Sequence, residues 1–367
     1  MSSQAALPTV DITTRDHLRR LRQIRFGSAW QVTLTLAFVV VALWIGWRIL
    51  DWALVKATWV ASDRAGCAAG GACWAFVLAR MDQFMFGFYP AGERWRPATA
   101  LLLPLVLFLI ASIRPFPRQQ AFVGLALLTS PMISLALLAG WAPGMTAVGS
   151  DKWGGLSLTW MIASTSFVAS LPIAVLLALG RRSEMPVISG LCTMFIELWR
   201  GLPLVAILFL AVILLPLALP PGVTVGRFEM ATTALTVYTA AYLAEVVRGG
   251  LQAIPIGQIR AARAIGFGYW RTQRYILLPQ ALGKVLPGVI NTAIALVKDT
   301  SYVMVVGLFD FINIVTAALS DPKWLGSPIE GYAFVALIYW IVCFCLSRWG
   351  QKIERNTAGA RGLERAG

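Results

Sequence analysis

Long apolar runs separated by short polar, Gly- and Pro-containing stretches set the pattern of this 367-residue chain. Eight runs stand out, at residues 31–50, 98–113, 120–139, 156–179, 187–219, 230–247, 285–306 and 331–347. A helix needs about 20 apolar residues to cross a hydrocarbon core, and only helices or closed barrels satisfy their backbone there. The runs lack the strict alternation of barrel strands, so they predict an all-α integral membrane protein with about eight transmembrane helices. The second run is short and contains Pro104. The fifth is too long for one straight crossing, and Arg200-Gly201-Leu202-Pro203 interrupts it, so a break or kink is expected there.

Composition agrees: 58% of residues are hydrophobic and 13% charged, where soluble domains carry about 25% charged residues. Charge then orients the chain. With Arg48 and Glu245, near span ends, assigned to the sides they adjoin, one side holds 20 basic and 6 acidic residues and the other 9 and 9. The net charge of +14 therefore lies on one face, which the positive-inside rule makes cytoplasmic, with both termini on it. The high charge is accounted for by topology, and no nucleic-acid partner is called for. Residues 1–30 read as a basic cytoplasmic segment without a cleavable signal, and residues 349–367 as a cytoplasmic tail, flexible from Asn356. Cys67 and Cys73 share the long outside loop at a spacing that allows a disulfide in an oxidising compartment.

Little in the chain can do covalent chemistry. The only histidine is His17, so a His-ligated metal site or a Ser-His centre has almost no material, and no metal site is expected. No GxxxxGK[ST] phosphate loop occurs; if ATP is used, another polypeptide binds it. One cytoplasmic loop, 248–284, is long, basic and punctuated by Gly and Pro. It predicts a helix from Pro255 to Ile265, a turn at Gly266-Phe267-Gly268 and a second helix from Tyr269 to Leu277, ended by Pro279. A basic amphipathic segment resting on anionic membrane lipid is the plain alternative.

The stretch RAARAIGFGYWRTQRYILLP, with Ala261, Ala262, Gly266, Ile276, Leu278 and Pro279 at fixed offsets, resembles the EAA loop of ABC importer permeases. The segments LPIAVLLALGRRSEMPVI, FIELWRGLPLVAILF, EVVRGGLQAIPIGQ, GYWRTQRYILLPQAL and KDTSYVMVVGLFDF look like the polar and general L-amino-acid, histidine-permease-like branch. The three additional N-terminal spans and their large outside loop resemble the M-type permease of the general L-amino-acid system. The resemblance covers about residues 156–347. It implies a five-helix type I importer core at 155–348 preceded by three extra helices at 31–141, in the bacterial inner membrane with a periplasmic outside. It also implies a homologous second permease, an ABC ATPase dimer carrying ATP and Mg, a periplasmic binding protein and an L-amino acid as solute. Pro255, Gly257, Arg260, Ala261, Ala262, Gly266, Ile276, Leu278 and Pro279 are the implied ATPase-coupling positions. Arg260 departs from the family's usual Glu, which reverses the charge at that contact.

Charges inside spans cost several kcal/mol unless paired or hydrated. Glu197 and Arg200, three apart on one helical face, are able to pair; that pair is read as holding the kinked fifth span, with contact to solute as the alternative. Lys298-Asp299-Thr300-Ser301 interrupts the seventh span near mid-depth, where transporters place polar groups facing their pathway; interhelical polar contact is the alternative. The functional reading is a non-catalytic permease subunit of an amino-acid importer. Its rivals are a stand-alone secondary transporter of small polar solutes and a membrane scaffold that recruits a soluble partner.

Overall fold

The computed structural model describes residues 29–113 and 119–364; His17 and most of the basic N-terminal segment lie outside them. The described residues are helical, with isolated bridges but no strand. They form two compact units.

The first unit comprises residues up to Trp59 together with Cys67–Cys73. Its helix α1, Ala29–Leu50, continues into a π turn over Asp51–Val55. No residue of its most apolar window is buried, as suits a helix whose solvent is lipid. Beyond it the chain doubles back: the Thr58 amide donates to the Ala72 carbonyl at 2.8 Å and the Ala72 amide to the Trp52 carbonyl at 2.9 Å. Cys67 and Cys73 close this turn as a disulfide.

The second unit holds everything else. Two short helices, α2 (Trp74–Ala79) and α3 (Met81–Phe86), precede α4 (Trp95–Ile113) and α5 (Gln119–Ala139). Then come α6 (Gly155–Arg181), α7 (Pro186–Gly201), α8 (Leu204–Ala218) and α9 (Arg227–Gln252). After the loop region described below, α12 (Leu278–Asp299) passes into a 3-10 segment over Thr300–Val306, and α13 (Ile314–Leu319) and α14 (Pro328–Glu364) finish the chain. Among the described residues five helices are individually long and apolar enough to cross a membrane, and α7 with α8 makes a sixth as a bent pair. The expected spans 98–113 and 120–139 are helical as α4 and α5, with part of each lying among residues whose side chains are not described. The tail expected to be flexible from Asn356 instead continues α14 to Glu364, and the last three residues lie outside the description.

Helices α6 and α9 form the centre. Each presents small residues to the other elements, Ala163, Ser166, Ser170, Ala174 and Ala178 on α6 and Ala231, Ala234, Ala240, Ala241 and Ala244 on α9, all buried. In lipid, association comes from close packing and interhelical hydrogen bonds rather than from oil avoiding water. The Ser166 hydroxyl accordingly donates to the Thr232 carbonyl across the pair at 3.2 Å. The fifth expected span breaks at the predicted place: Leu202 and Pro203 are extended, and α7 and α8 meet at 110°. A residue before proline is driven out of the helical region, so the stop is written at Leu202.

Helix α3 is keyed into the start of α6. Gly155 has φ +62°, and a Cβ there would sit 2.2 Å from the Phe84 carbonyl oxygen. Its amide donates to the Phe309 carbonyl at 2.9 Å. Phe76 and Phe84 pack edge to face at 5.7 Å, and Arg80 pairs with Asp321. Next to this joint, buried Asp310 accepts from the backbone amides of Ile312 and Asn313 and from the Tyr339 hydroxyl. Burial pushes its carboxyl above the usual carboxylate range, and these donors oppose the shift. Replacing Gly155 by Ala is expected to cost about 3 kcal/mol, from left-handed strain plus a backbone clash. Thermal unfolding in detergent measures it, with Gly144→Ala, where a Cβ meets open space, showing the left-handed strain alone.

Candidate functional site

The loop after α9 has the predicted helix, turn and helix, with one change of architecture. Pro255, extended with ψ 137°, precedes α10, Ile256–Ala264. The helix ends in a Schellman motif: the Gly266 amide donates to the Arg263 carbonyl at 3.0 Å and the Phe267 amide to the Ala262 carbonyl at 3.0 Å. This stop needs a left-handed residue, and Gly266 supplies it at φ +81°. The chain resumes as α11 (Tyr269–Thr272), widens into a π turn over Gln273–Leu277 and runs without interruption into α12. Pro279 therefore does not end the second helix, as the sequence suggested. It stands in the first turn of α12, directly after the π turn, where the shift in hydrogen-bond register absorbs its missing N–H.

Helical geometry sorts the positions expected to couple to an ATPase into two faces. Ala262 is buried and Ile259 packs beside it against a cluster of Ala178, Leu179, Val247, Leu251, Ile254, Leu277 and Ala281. Ile276 and Leu278 pack on the same cluster. Gly257, Arg260 and Ala261 are exposed on the opposite side of α10, and Pro255, Gly266 and Pro279 are exposed too. The alanine pair is thus divided, one residue against the bundle and one toward solvent. Ile256, Ile265, Trp270 and Tyr275 are also exposed, Trp270 at 68%. The sequence reading passed over these four. Their signal was large apolar side chains in an otherwise basic loop.

Behind the loop lies a cluster of charge. Arg181 at the end of α6 reaches both Glu197 of α7, at 2.7 Å, and Glu245 of α9. Arg248 grips Glu245 at 2.8 Å, and Arg200 stands 3.9 Å from it. The expected Glu197–Arg200 pair does not form. Spacing three apart permits a pair but does not compel one, and Arg181 and Glu245, from other helices, lie closer to each partner. Both occur in polar signatures at run ends, GRRS and EVVRGG, so the signal was present without a partner assignment. The Arg200 guanidinium also stands over the Tyr242 ring, 5.5 Å from its centroid.

Tyr242 leads to the pathway candidates. With Tyr238, Thr239, Asn291, Thr292 and Asp299 it lines a cavity of about 270 Å³ between α9 and α12. Asp299 is the one member of the predicted KDTS cluster on this wall. Lys298 is exposed and does not line it. Thr300 is buried and donates to the Val297 carbonyl at 2.8 Å, while the Ser301 carbonyl accepts from Asn313 at 2.8 Å. The α-helix ends at Asp299 and becomes 3-10 at Thr300, so the polar run coincides with a change in helix type. Among the described residues no His, Cys, Asp or Glu group forms a metal-binding cluster.

Residues 170–359, which hold this loop, the charged cluster and the cavity, match the family model of the binding-protein-dependent transport system inner membrane component. The chain belongs to that family. It is similar to the inner membrane amino-acid ABC transporter permease protein YhdY of Escherichia coli K12, 44% identical over 90% of each chain. It is also similar to the glutamate/glutamine/aspartate/asparagine transport system permease protein BztC of Rhodobacter capsulatus, 33% identical over 92% of this chain and 93% of that one. The probable glutamine ABC transporter permease protein GlnP of Bacillus subtilis is 33% identical over 55% of this chain and 91% of its own length. The family and the apolar helices make this a multi-pass inner membrane protein.

The charged cluster generates a graded prediction. Removing one partner of a largely buried ion pair leaves the others unpaired, and the partial exposure here screens that penalty. Glu245→Ala is expected to cost about 1–3 kcal/mol, and Glu197→Ala, whose side chain is 56% exposed, under about 1 kcal/mol. Unfolding in detergent at low and high salt checks the order.

Proposed function

We propose that this chain is the permease subunit of an ATP-driven importer that takes up L-amino acids delivered by a periplasmic binding protein. The observation that carries the reading is the division of α10. One face is anchored in the bundle, and the other presents Gly257, Arg260 and Ala261 beside exposed Ile256 and Ile265. Such a face suits a soluble partner, and in this reading the partner is an ABC ATPase dimer that carries ATP and Mg. A second, homologous permease completes the pathway. The relatives' printed names, all amino-acid or glutamine-type permeases, support the solute class.

In mechanism, the ATPase closes on ATP and carries α10 with it. The Lys284 ammonium of α12 ties that helix to the end of α9 at the Ala253 carbonyl, at 2.7 Å, and Ile259 of α10 packs on the buried cluster that includes Leu179 of α6 and Val247 and Leu251 of α9. Motion of α10 therefore reaches the helices that bear Glu245 and the Tyr238–Asp299 cavity, and the core changes between inward- and outward-facing forms as packed bodies. Asp299 and the two tyrosines meet the charged and polar ends of the solute. The loop face is cytoplasmic, with both termini on it, as the basic excess requires.

Purification with ATPase, second permease and binding protein, followed by reconstitution, tests the assignment. L-amino acid with its binding protein is expected to stimulate ATP hydrolysis. Ala261→Arg is expected to lower stimulated hydrolysis more than tenfold without changing this chain's unfolding temperature. Asp299→Asn is expected to reduce uptake while the complex still assembles. Amino-acid uptake by this chain alone, driven by an ion gradient, would establish the secondary-transporter reading instead.

A further inference from the structure

A cavity of about 290 Å³ lies between α10, the π turn and the end of α6, on the side of the coupling helix that faces the bundle. That volume is near the lower end of the roughly 300–1,000 Å³ typical of small-molecule sites, which favours a ligand of amino-acid size over a nucleotide. Arg182, Arg263 and Glu184 line it, and none of the three forms an ion pair among the described residues. Gln273 also lines it, and its Oε1 is buried without a hydrogen-bond partner. Leu179, Ile259, Phe267 and Leu277 supply its apolar wall, and Tyr269 and Thr272 add two hydroxyl-bearing side chains.

This set is mixed in charge, and that selects the ligand. A bare anion satisfies the two guanidinium groups but sets its charge against Glu184 and leaves the Gln273 oxygen unpaired. A bare cation satisfies Glu184 and meets two positive groups. A molecule with a carboxylate, an ammonium and an apolar or amide side chain pairs with the three exposed charges and also gives the buried Gln273 oxygen the donor it lacks, and an unpaired buried polar atom is costly. We propose that this cavity is a second, loop-side site for a free zwitterionic L-α-amino acid, distinct from the Tyr238–Asp299 cavity. Its carboxylate lies between Arg182 and Arg263, and its ammonium faces Glu184 and the Gln273 Oε1.

Position gives the consequence. The cavity borders Ile259 and Arg263 on α10, Leu179 on α6 and Arg182 just past its end, so an occupant bridges the coupling helix to the bundle. A ligand that favours one arrangement of two elements holds that arrangement, by the free energy of its differential binding. Imported amino acid accumulating on the loop side thus slows further import. This regulatory step rests on the importer reading; the binding step does not.

The test uses the whole complex, without binding protein, in nanodiscs that leave both faces accessible. Radiolabelled L-glutamine, L-glutamate and L-arginine are titrated separately, with inorganic phosphate as competitor. At least one amino acid is expected to bind saturably, with affinity at least tenfold weaker in Glu184→Gln and in the Arg182→Gln/Arg263→Gln double variant. Glu184 is exposed, and its substitution tests the site even where the double variant folds poorly. In proteoliposomes, loading the bound amino acid on the loop side is expected to slow uptake at least fivefold, each variant being compared with its own unloaded rate. Glu184→Gln is expected to relieve that inhibition. Absence of saturable binding by all three amino acids, or binding that both variants leave intact, overturns the site. Phosphate binding that is unchanged or strengthened in Glu184→Gln, without amino-acid binding, makes it an anion site and overturns the zwitterion assignment. Uptake without loop-side binding defeats this proposal alone, whereas loop-side binding without any ATP-driven uptake defeats the importer reading alone.

Discussion

The Glu245 carboxylate sits among three guanidinium groups that arrive from three helices, Arg181 from α6, Arg200 from α7 and Arg248 from its own helix α9. None of those cations is sustainable near hydrocarbon without a counter-charge, and one anion answers all three. The helix ends behind the loop are therefore fixed with respect to one another by a shared group rather than by separate pairs. Sharing also makes the arrangement switchable. Arg181 keeps Glu197 as a second partner, and Arg200 keeps the ring of Tyr242, so the cluster has alternatives at hand when the helices shift.

Much of this architecture was legible in sequence because the bilayer imposes simple rules. Span length, the basic excess of one face and the stop at Leu202-Pro203 are each decided by a local cost, so each left a mark in consecutive residues. The Schellman end at Gly266 is of the same kind. What stayed hidden depends on residues distant in sequence. The partner of Glu197 is Arg181 and not the nearer Arg200, and no spacing rule reveals it. The wall of the Asp299 cavity comes from α9, 57 to 61 positions before Asp299, and the stretch YTAAY gave only a pair of aromatics one turn apart. The misjudged role of Pro279 has a different origin: a π turn upstream changes what a proline costs, and propensity does not encode it.

The end of the bundle far from the loop is held by another kind of constraint. There the close approach is backbone to backbone, Gly155 against Phe84 and Phe309, with no charge network to rearrange. Close-packed backbone has few alternative arrangements, whereas ion pairs among several arginines have many. Helix α6 thus runs from a close-packed backbone joint at Gly155 to a multiply paired one at Arg181, and on this contrast any movement of α6 would pivot at the Gly155 end.

That asymmetry also locates where a small ligand has leverage. On the proposed mechanism a displacement at the loop would be felt most at the end of α6 far from the Gly155 joint, which is where Leu179 and Arg182 line one cavity with Ile259 and Arg263 of α10. A molecule of modest affinity lodged at the pivot would change little, because the backbone there already has one arrangement. The same molecule at the free end would act between two elements, and, if a partner moves α10 as proposed, its differential binding energy would enter the balance between states. Three charged side chains outside any ion pair among the described residues and the buried, unpaired Gln273 oxygen thus line one cavity behind α10.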